Sequence, residues 1–268
     1  MSAIKCMPQG FDGQLATELG RLVAAAYDQF HAPARRPPMW PLAAPYRLVR
    51  EFSAAPPAHH QVERFGFVAR REDNGNVYIV FRGTGSPGDW LANLDFVHAA
   101  QRNGWGKVEK GFGEVYAGCA EDILGALRDA GNPPRVFISG HSLGGALSTL
   151  CAADVRACAG AATTLYTFAS PRTGDPAFAA EFNRNCPDTF RVVNTEDLVN
   201  TVPLAATAIS VFNLDGLRPL LQGVGHLKKV LAILDGVNYE HVGTPADFTV
   251  HKGNIVDNHA IETYIAAL

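Results

Sequence analysis

The chain has 268 residues, 47% hydrophobic and 18% charged, an ordinary globular composition with length for one sizeable core. Its 23 basic and 26 acidic residues leave a formal net charge of −3 with no long run of either sign, so there is no electrostatic footprint for nucleic acid or for an anionic membrane surface. Five cysteines without a C-x-x-C spacing argue against a disulfide framework and a structural metal, and no apolar run of about 18 residues predicts a transmembrane span.

The opening MSAIKCMPQGFDG lacks the apolar stretch of a secretory leader, which places the chain in the cytoplasm by default; a removed signal or another export route would leave the same sequence. Leu15, Leu19, Leu22, Val23 and Ala26 recur at helical spacing and predict an amphipathic helix over 11–30. The proline-rich stretch 33–57 reads as an extended surface connector. Residues 65–70 and 76–81 flank Asp73-Asn74-Gly75 and predict a hairpin. A helix is expected over 114–129, a buried strand at 136–139, and a second helix from Leu143 to about Arg156. Cys151 and Cys158, seven apart in that helical pattern, are expected on one buried face. Two further strands are expected at 163–168 and 189–194, with a helix starting at Asp175-Pro176 between them. Strands alternating with helices imply a mainly parallel sheet covered on both faces, and no internal repeat is visible.

The segment V-F-I-S-G-H-S-L-G-G-A-L-S at 136–148 combines a buried strand, a glycine-rich turn and a helix. A serine at the apex of such a turn is held in a strained conformation, with its oxygen out of the sheet at the positive end of the helix. G-H-S-L-G is a short pattern, and its placement between strand and helix supplies the specificity. A nucleophilic serine needs a base and a device for the developing oxyanion. On the residues alone, His259 competes for the base with His241 and His251, and Asp197 competes for the acid with Asp257; Asp175 reads better as a helix cap. Asp197 is expected where a strand ends and a loop exposes its side chain.

Six segments in one order then resemble the class 3 (fungal-type) lipases of the α/β-hydrolase superfamily. They are VYIVFRGTGSPGDWLANL at 77–94, GHSLGGAL at 140–147, YTFASPRTGD at 166–175, VNTEDLVNTVP at 193–203, HVG at 241–243 and DNHAIETYIAAL at 257–268. The resemblance implies a single α/β-hydrolase domain over 1–268 with lid and cap segments, and a triad of Ser142, Asp197 and His259. It also implies an oxyanion hole from the backbone N–H groups of Leu143 and Thr84, with the Thr84 hydroxyl as a third donor oriented by Asn93. The implied reaction is hydrolysis of carboxylic esters of acylglycerols at a lipid–water interface, through a serine acyl-enzyme and without metal or organic cofactor. Esterases for polar or aryl substrates would use the same triad, and a non-catalytic lipid binder on this fold is the different class. Oligomeric state is not legible in the sequence. Glu109 departs from the family, which often has histidine there, and this puts local packing in question.

Two segments are candidates for substrate selection. Trp90, Leu91 and Leu94 share one helical face in a stretch near 85–97 that reads as a lid over an acyl site. An insertion near 208–238 carries Leu217, Leu220 and Leu221 at helical spacing, interrupted by Pro219 and Gly223, and reads as a helical cap.

Overall fold

Residues Val77–Phe81 are buried along their whole length, and this dictates the architecture around them. Val77, Ile79 and Phe81 point into one apolar cluster while Tyr78 and Val80 point into another. A strand that is apolar on both faces must be covered on both. The computed structural model of the chain, which describes residues 4–32, 42–55, 61–85, 97–203 and 238–268, provides that cover.

Ten strands are described: β1 (Ile4–Cys6), β2 (Tyr46–Ala54), β3 (Glu63–Arg71), β4 (Val77–Phe81), β5 (His98–Ala100), β6 (Lys107–Glu109), β7 (Arg135–His141), β8 (Ala162–Phe168), β9 (Thr189–Asn194) and β10 (Thr244–Thr249). Eight form one sheet in the order β1-β10-β9-β8-β7-β4-β3-β2, and β5 pairs with β6 apart from it. The run from β4 through β7, β8 and β9 to β10 is parallel, with Ile79 beside Ile138 and Ile138 beside Leu165. The outer pairs β1–β10, β2–β3 and β3–β4 are antiparallel. A parallel sheet flanked by helices is the architecture expected from the alternation of strand and helix signals.

One face is covered by α2 (Lys110–Asp129), α3 (Leu143–Asp154) and α4 (Pro176–Asn185), which contribute Phe112, Leu147 and Phe178 to its cluster. The other is covered by α1 (Gly13–His31) and α6 (Ile261–Ala267), through Leu19, Val23, Ile261 and Tyr264. A short helix α5 (Ile255–His259) precedes α6. Several of the longer helices begin where a side chain replaces a missing backbone acceptor. Asp12 accepts from the amides of Gln14 and Leu15 at 2.9 and 3.0 Å, and Asp175 from that of Phe178 at 2.8 Å. Glu109, the departure from the family pattern, caps α2 by accepting from the Phe112 amide at 2.8 Å.

Three expectations are corrected. Within the stretch read as a connector, residues 46–54 form β2, whose alternation is masked because it is an edge strand with only Phe52 and Ala54 fully buried. Cys158 is exposed although Cys151 is buried, because the helix widens into a π turn at Val155–Ala159 and the seven-residue spacing loses its phase. Helix α2 begins at Lys110, four residues before the expected start, owing to the Glu109 cap. The proposed lid residues Trp90, Leu91 and Leu94 and the cap residues Leu217, Leu220 and Leu221 lie outside the described residues, as does Asn93. Among the described residues no helix is long and apolar enough to cross a membrane.

Ile79 is fully buried in the central strand, so Ile79→Ala removes apolar contacts that cannot be replaced from either side. The unfolding free energy should fall by about 2–5 kcal/mol, read as a lower urea midpoint at unchanged m value.

Candidate active site

Strand β7 ends at His141 and helix α3 begins at Leu143, leaving Ser142 alone at the turn with φ 56° and ψ −128°. A non-glycine residue at such angles costs about 1–3 kcal/mol and persists only where its surroundings enforce it. Here they do. The Ser142 amide donates to Phe168 O of β8 at 3.0 Å, and its carbonyl accepts from the Gly145 amide at 2.8 Å. A methyl group at Gly140 would lie 2.0 Å from Gly144 O, so strand and helix backbones are in contact across the turn. Ser142 is buried, and its Oγ has no hydrogen-bond partner among the described residues.

Asp197 follows β9, but its side chain is buried rather than exposed as the sequence suggested. The loop folds back under α6, and the carboxylate oxygens face donors. Oδ1 accepts from the Val199 amide at 3.0 Å, and Oδ2 accepts from Tyr264 Oη at 2.6 Å and from His259 Nδ1 at 2.7 Å. Because Nδ1 faces a carboxylate it carries the ring proton, and Nε2 presents a lone pair. That Nε2 is buried and has no partner among the described residues. Asn194 ties the surrounding segments together, donating to Val250 O and Asn258 O and accepting from the Val250 amide. Asn200 donates to Tyr264 Oη. His259 lies beside the serine turn, its carbonyl 2.7 Å from His141 Nε2 and its ring centroid 4.7 Å from that of His141.

The rival residues are occupied elsewhere. Asp257 is exposed and bonds Asn254, and His251 is exposed and pairs with Glu196. His241 donates to Asn200 O, and burial together with Arg191 and Arg172 holds its pKa down at about 3.

The third component arrives from β4. Arg82 is fully buried, with Nε on Arg64 O at 2.7 Å, Nη2 on Glu63 at 2.7 Å, and its guanidinium against the rings of Phe30 and Phe65. This clamp fixes the start of the Arg82-Gly83-Thr84 turn. A methyl on Gly83 would be 2.8 Å from Ser142 Cβ, so the turn is pressed against the serine. Thr84 is half-buried, with a buried Oγ1 that lacks a partner among the described residues. Leu143, first in α3, has an amide with no intrahelical acceptor. The geometry therefore sets His259, paired with Asp197, against the residue before Ser142, and the Gly83 backbone preceding Thr84 against Ser142 itself, with Leu143 next in the chain. The sequence did not single out Tyr264, Tyr27, Asn194 or Arg82. A signal existed for Tyr264, which lies five residues after His259 in the quoted C-terminal segment.

Residues 78–207 match the family model described as lipase (class 3). A lipase of Rhizomucor miehei is 37% identical over 147 residues, covering 52% of this chain and 40% of that protein. The secreted mono- and diacylglycerol lipase A of Penicillium cyclopium is 35% identical over 143 residues, covering 52% of this chain and 47% of that protein. The chain thus spans less than half the length of these curated relatives. Among solved structures, a triacylglycerol lipase whose catalytic centre is formed by a serine protease triad superposes with a TM-score of 0.60 at 26% identity, covering 78% of this chain and 79% of that one. A relative named as secreted gives the cytoplasmic expectation no support.

A buried histidine, His141, and a half-buried one, His241, make stability depend on pH. Burial, then the neighbouring His259, hold the His141 pKa well below the usual value, and His241 is depressed to about 3. Both are neutral when folded but take up protons below about pH 6.5 when unfolded. Their contribution is therefore intact above that pH and is lost as pH falls, for His241 through to about 3. The His241 contribution should lower the unfolding free energy by at most about 1.4 kcal/mol per pH unit over this window, with His141 acting in the same direction, measurable by urea titrations between about pH 7 and pH 4.

Proposed function

We propose that the chain is a class 3 lipase, as its match to that family model over residues 78–207 supports, and that it hydrolyses carboxylic esters of acylglycerols through a serine acyl-enzyme. The observation that carries this reading is the buried Asp197–His259 pair, whose Nε2 has no partner among the described residues and whose ring lies 4.7 Å from that of His141, the residue before a serine held at positive φ. In the proposed reaction Ser142 Oγ attacks the ester carbon while His259 Nε2 takes its proton. The carbonyl electrons collect on the former carbonyl oxygen, which the Leu143 and Thr84 amides stabilise at the positive end of α3. Collapse of the tetrahedral species expels the alcohol, protonated by His259. A water molecule deprotonated by the same nitrogen then attacks the acyl carbon, and the acid leaves as His259 returns the proton to Ser142 Oγ. Asp197 keeps the Nδ1–H tautomer and stabilises the imidazolium, and Tyr264 with Val199 holds Asp197 in place.

The Trp90 and Leu220 segments supply the acyl site in this reading, because their apolar faces suit a fatty chain and interfacial opening. Their leucines and tryptophan are the sequence's own candidates for setting chain-length preference.

Ser142→Ala should abolish hydrolysis of p-nitrophenyl esters and labelling by a fluorophosphonate probe without lowering the urea midpoint; retained turnover would refute the assignment. Asp197→Asn should reduce kcat by roughly 10⁴ by favouring the wrong tautomer. A panel of glycerol esters graded by acyl length, assayed below and above the solubility limit, reads the substrate class. A rate jump when emulsion forms supports action on acylglycerols at an interface, and a flat profile with preference for soluble aryl esters overturns it.

A further inference from the structure

The proposed reaction needs an oxyanion turn and a base in fixed relation to Ser142, yet the two are about 175 positions apart in the chain and attached to different elements. Between them lie Tyr27 of α1 and His141, neither of which the triad accounts for. His141 Nε2 is 2.7 Å from the His259 carbonyl oxygen. A carbonyl only accepts, so Nε2 carries the proton. The ring is buried and neutral, because burial disfavours its charged form. Nδ1 is then a bare acceptor, 2.8 Å from Tyr27 Oη, and the tyrosine must donate to it. The same Oη accepts from the Gly83 amide at 3.0 Å. A methyl on Gly83 would stand 2.6 Å from that oxygen, so the approach depends on glycine.

Every proton in this chain has one direction: Gly83 N–H to Tyr27, Tyr27 O–H to His141 Nδ1, His141 Nε2–H to the His259 carbonyl. We propose that Tyr27 and His141 are positioning residues that lock the oxyanion turn and the base to one another, so that Thr84 and His259 are in register with Ser142. This rests on the ester-hydrolase reading above. The links act in series, and breaking any one should release both ends. Simple space-filling by a buried ring makes no such demand, since it is indifferent to where the donors are.

The full chain carrying Tyr27→Phe, His141→Gln, His141→Asn, or Tyr27→Phe with His141→Asn is assayed with p-nitrophenyl butyrate, well below each variant's Tm. Tyr27→Phe should lower kcat about 10- to 100-fold with KM within about twofold of the parent, as expected for misplacement without loss of binding. His141→Gln, whose amide can donate near the position of Nε2, should retain at least about fivefold more activity than His141→Asn, which presents no donor there. The double variant should be no slower than the worse single one, because the links are in series. Tyr27→Phe within twofold of the parent in kcat, or Gln and Asn variants of equal activity with an additive double variant, overturns the relay. If the parent itself neither turns over esters nor labels with fluorophosphonate, the ester-hydrolase reading has failed. The relay is then decided by nitrogen-15 NMR of labelled histidines and backbone amides. A neutral His141 protonated on Nε2, with Gly83 and His259 signals shifting together in Tyr27→Phe, supports it. A proton on Nδ1, or Gly83 and His259 signals that do not move, overturns it. Should Tyr27→Phe fail to fold, the activity ratio of the Gln and Asn variants at His141 decides between relay and space-filling.

Discussion

An ionised carboxylate cannot be taken out of water cheaply, and Asp197 is almost wholly out of it. What makes the burial tolerable is the number of donors turned toward it: a backbone amide from its own loop, a phenol from α6 and an imidazole from the end of α5. Much of the surrounding backbone can be understood as serving that requirement. Asn194 and Asn200 hold the loop after β9 against the C-terminal helices, and Tyr264 receives a backbone and a side-chain donor while it gives its own proton to the acid. Removing one donor would leave charge stranded in an apolar setting, which is why so many polar side chains converge on a region that otherwise packs aromatic rings.

The serine turn imposes a second demand of a different kind. Its backbone energy is unfavourable, and packing on three sides sustains it. β8 takes its amide, α3 takes its carbonyl, and the Arg82 turn presses on its side chain. Arg82 itself is a buried cation compensated by Glu63, two carbonyls and two aromatic faces. Strain at one residue is thus offset by rigidity in elements that arrive from far along the chain. Such preorganisation suits chemistry in which charge develops at a fixed point.

How much of this was readable follows from how local each signal is. The strand, turn and helix around Ser142 are contiguous in sequence, and so is the Asp175 cap with its following proline; all were legible. The central strands β4 and β7 announced themselves through the apolar runs at 77–81 and 136–138. Asp197 and His259 stood out through resemblance rather than through their own surroundings, since nothing near them in sequence reveals that they meet. Tyr27 was invisible because its partners are 56 and 114 positions away, and a tyrosine on an amphipathic helix reads as ordinary packing. β2 was missed because an edge strand lacks the clean alternation of a half-buried one, and Cys158 because a π turn breaks the periodicity used to place it.

The order in which these parts occur along the chain has a consequence for folding. The serine turn and the central strands β4, β7 and β8 are complete by Phe168, but the imidazole and the phenol that satisfy Asp197 belong to His259 and Tyr264. β10, which aligns with β9 just before them, begins only at Thr244. A partly synthesised chain can therefore assemble most of the sheet while Asp197 still lacks the donors of His259 and Tyr264. Under the proposed assignment, reactivity is the last property this polypeptide acquires, and a product truncated before His259 should form much of the sheet yet lack the proposed base.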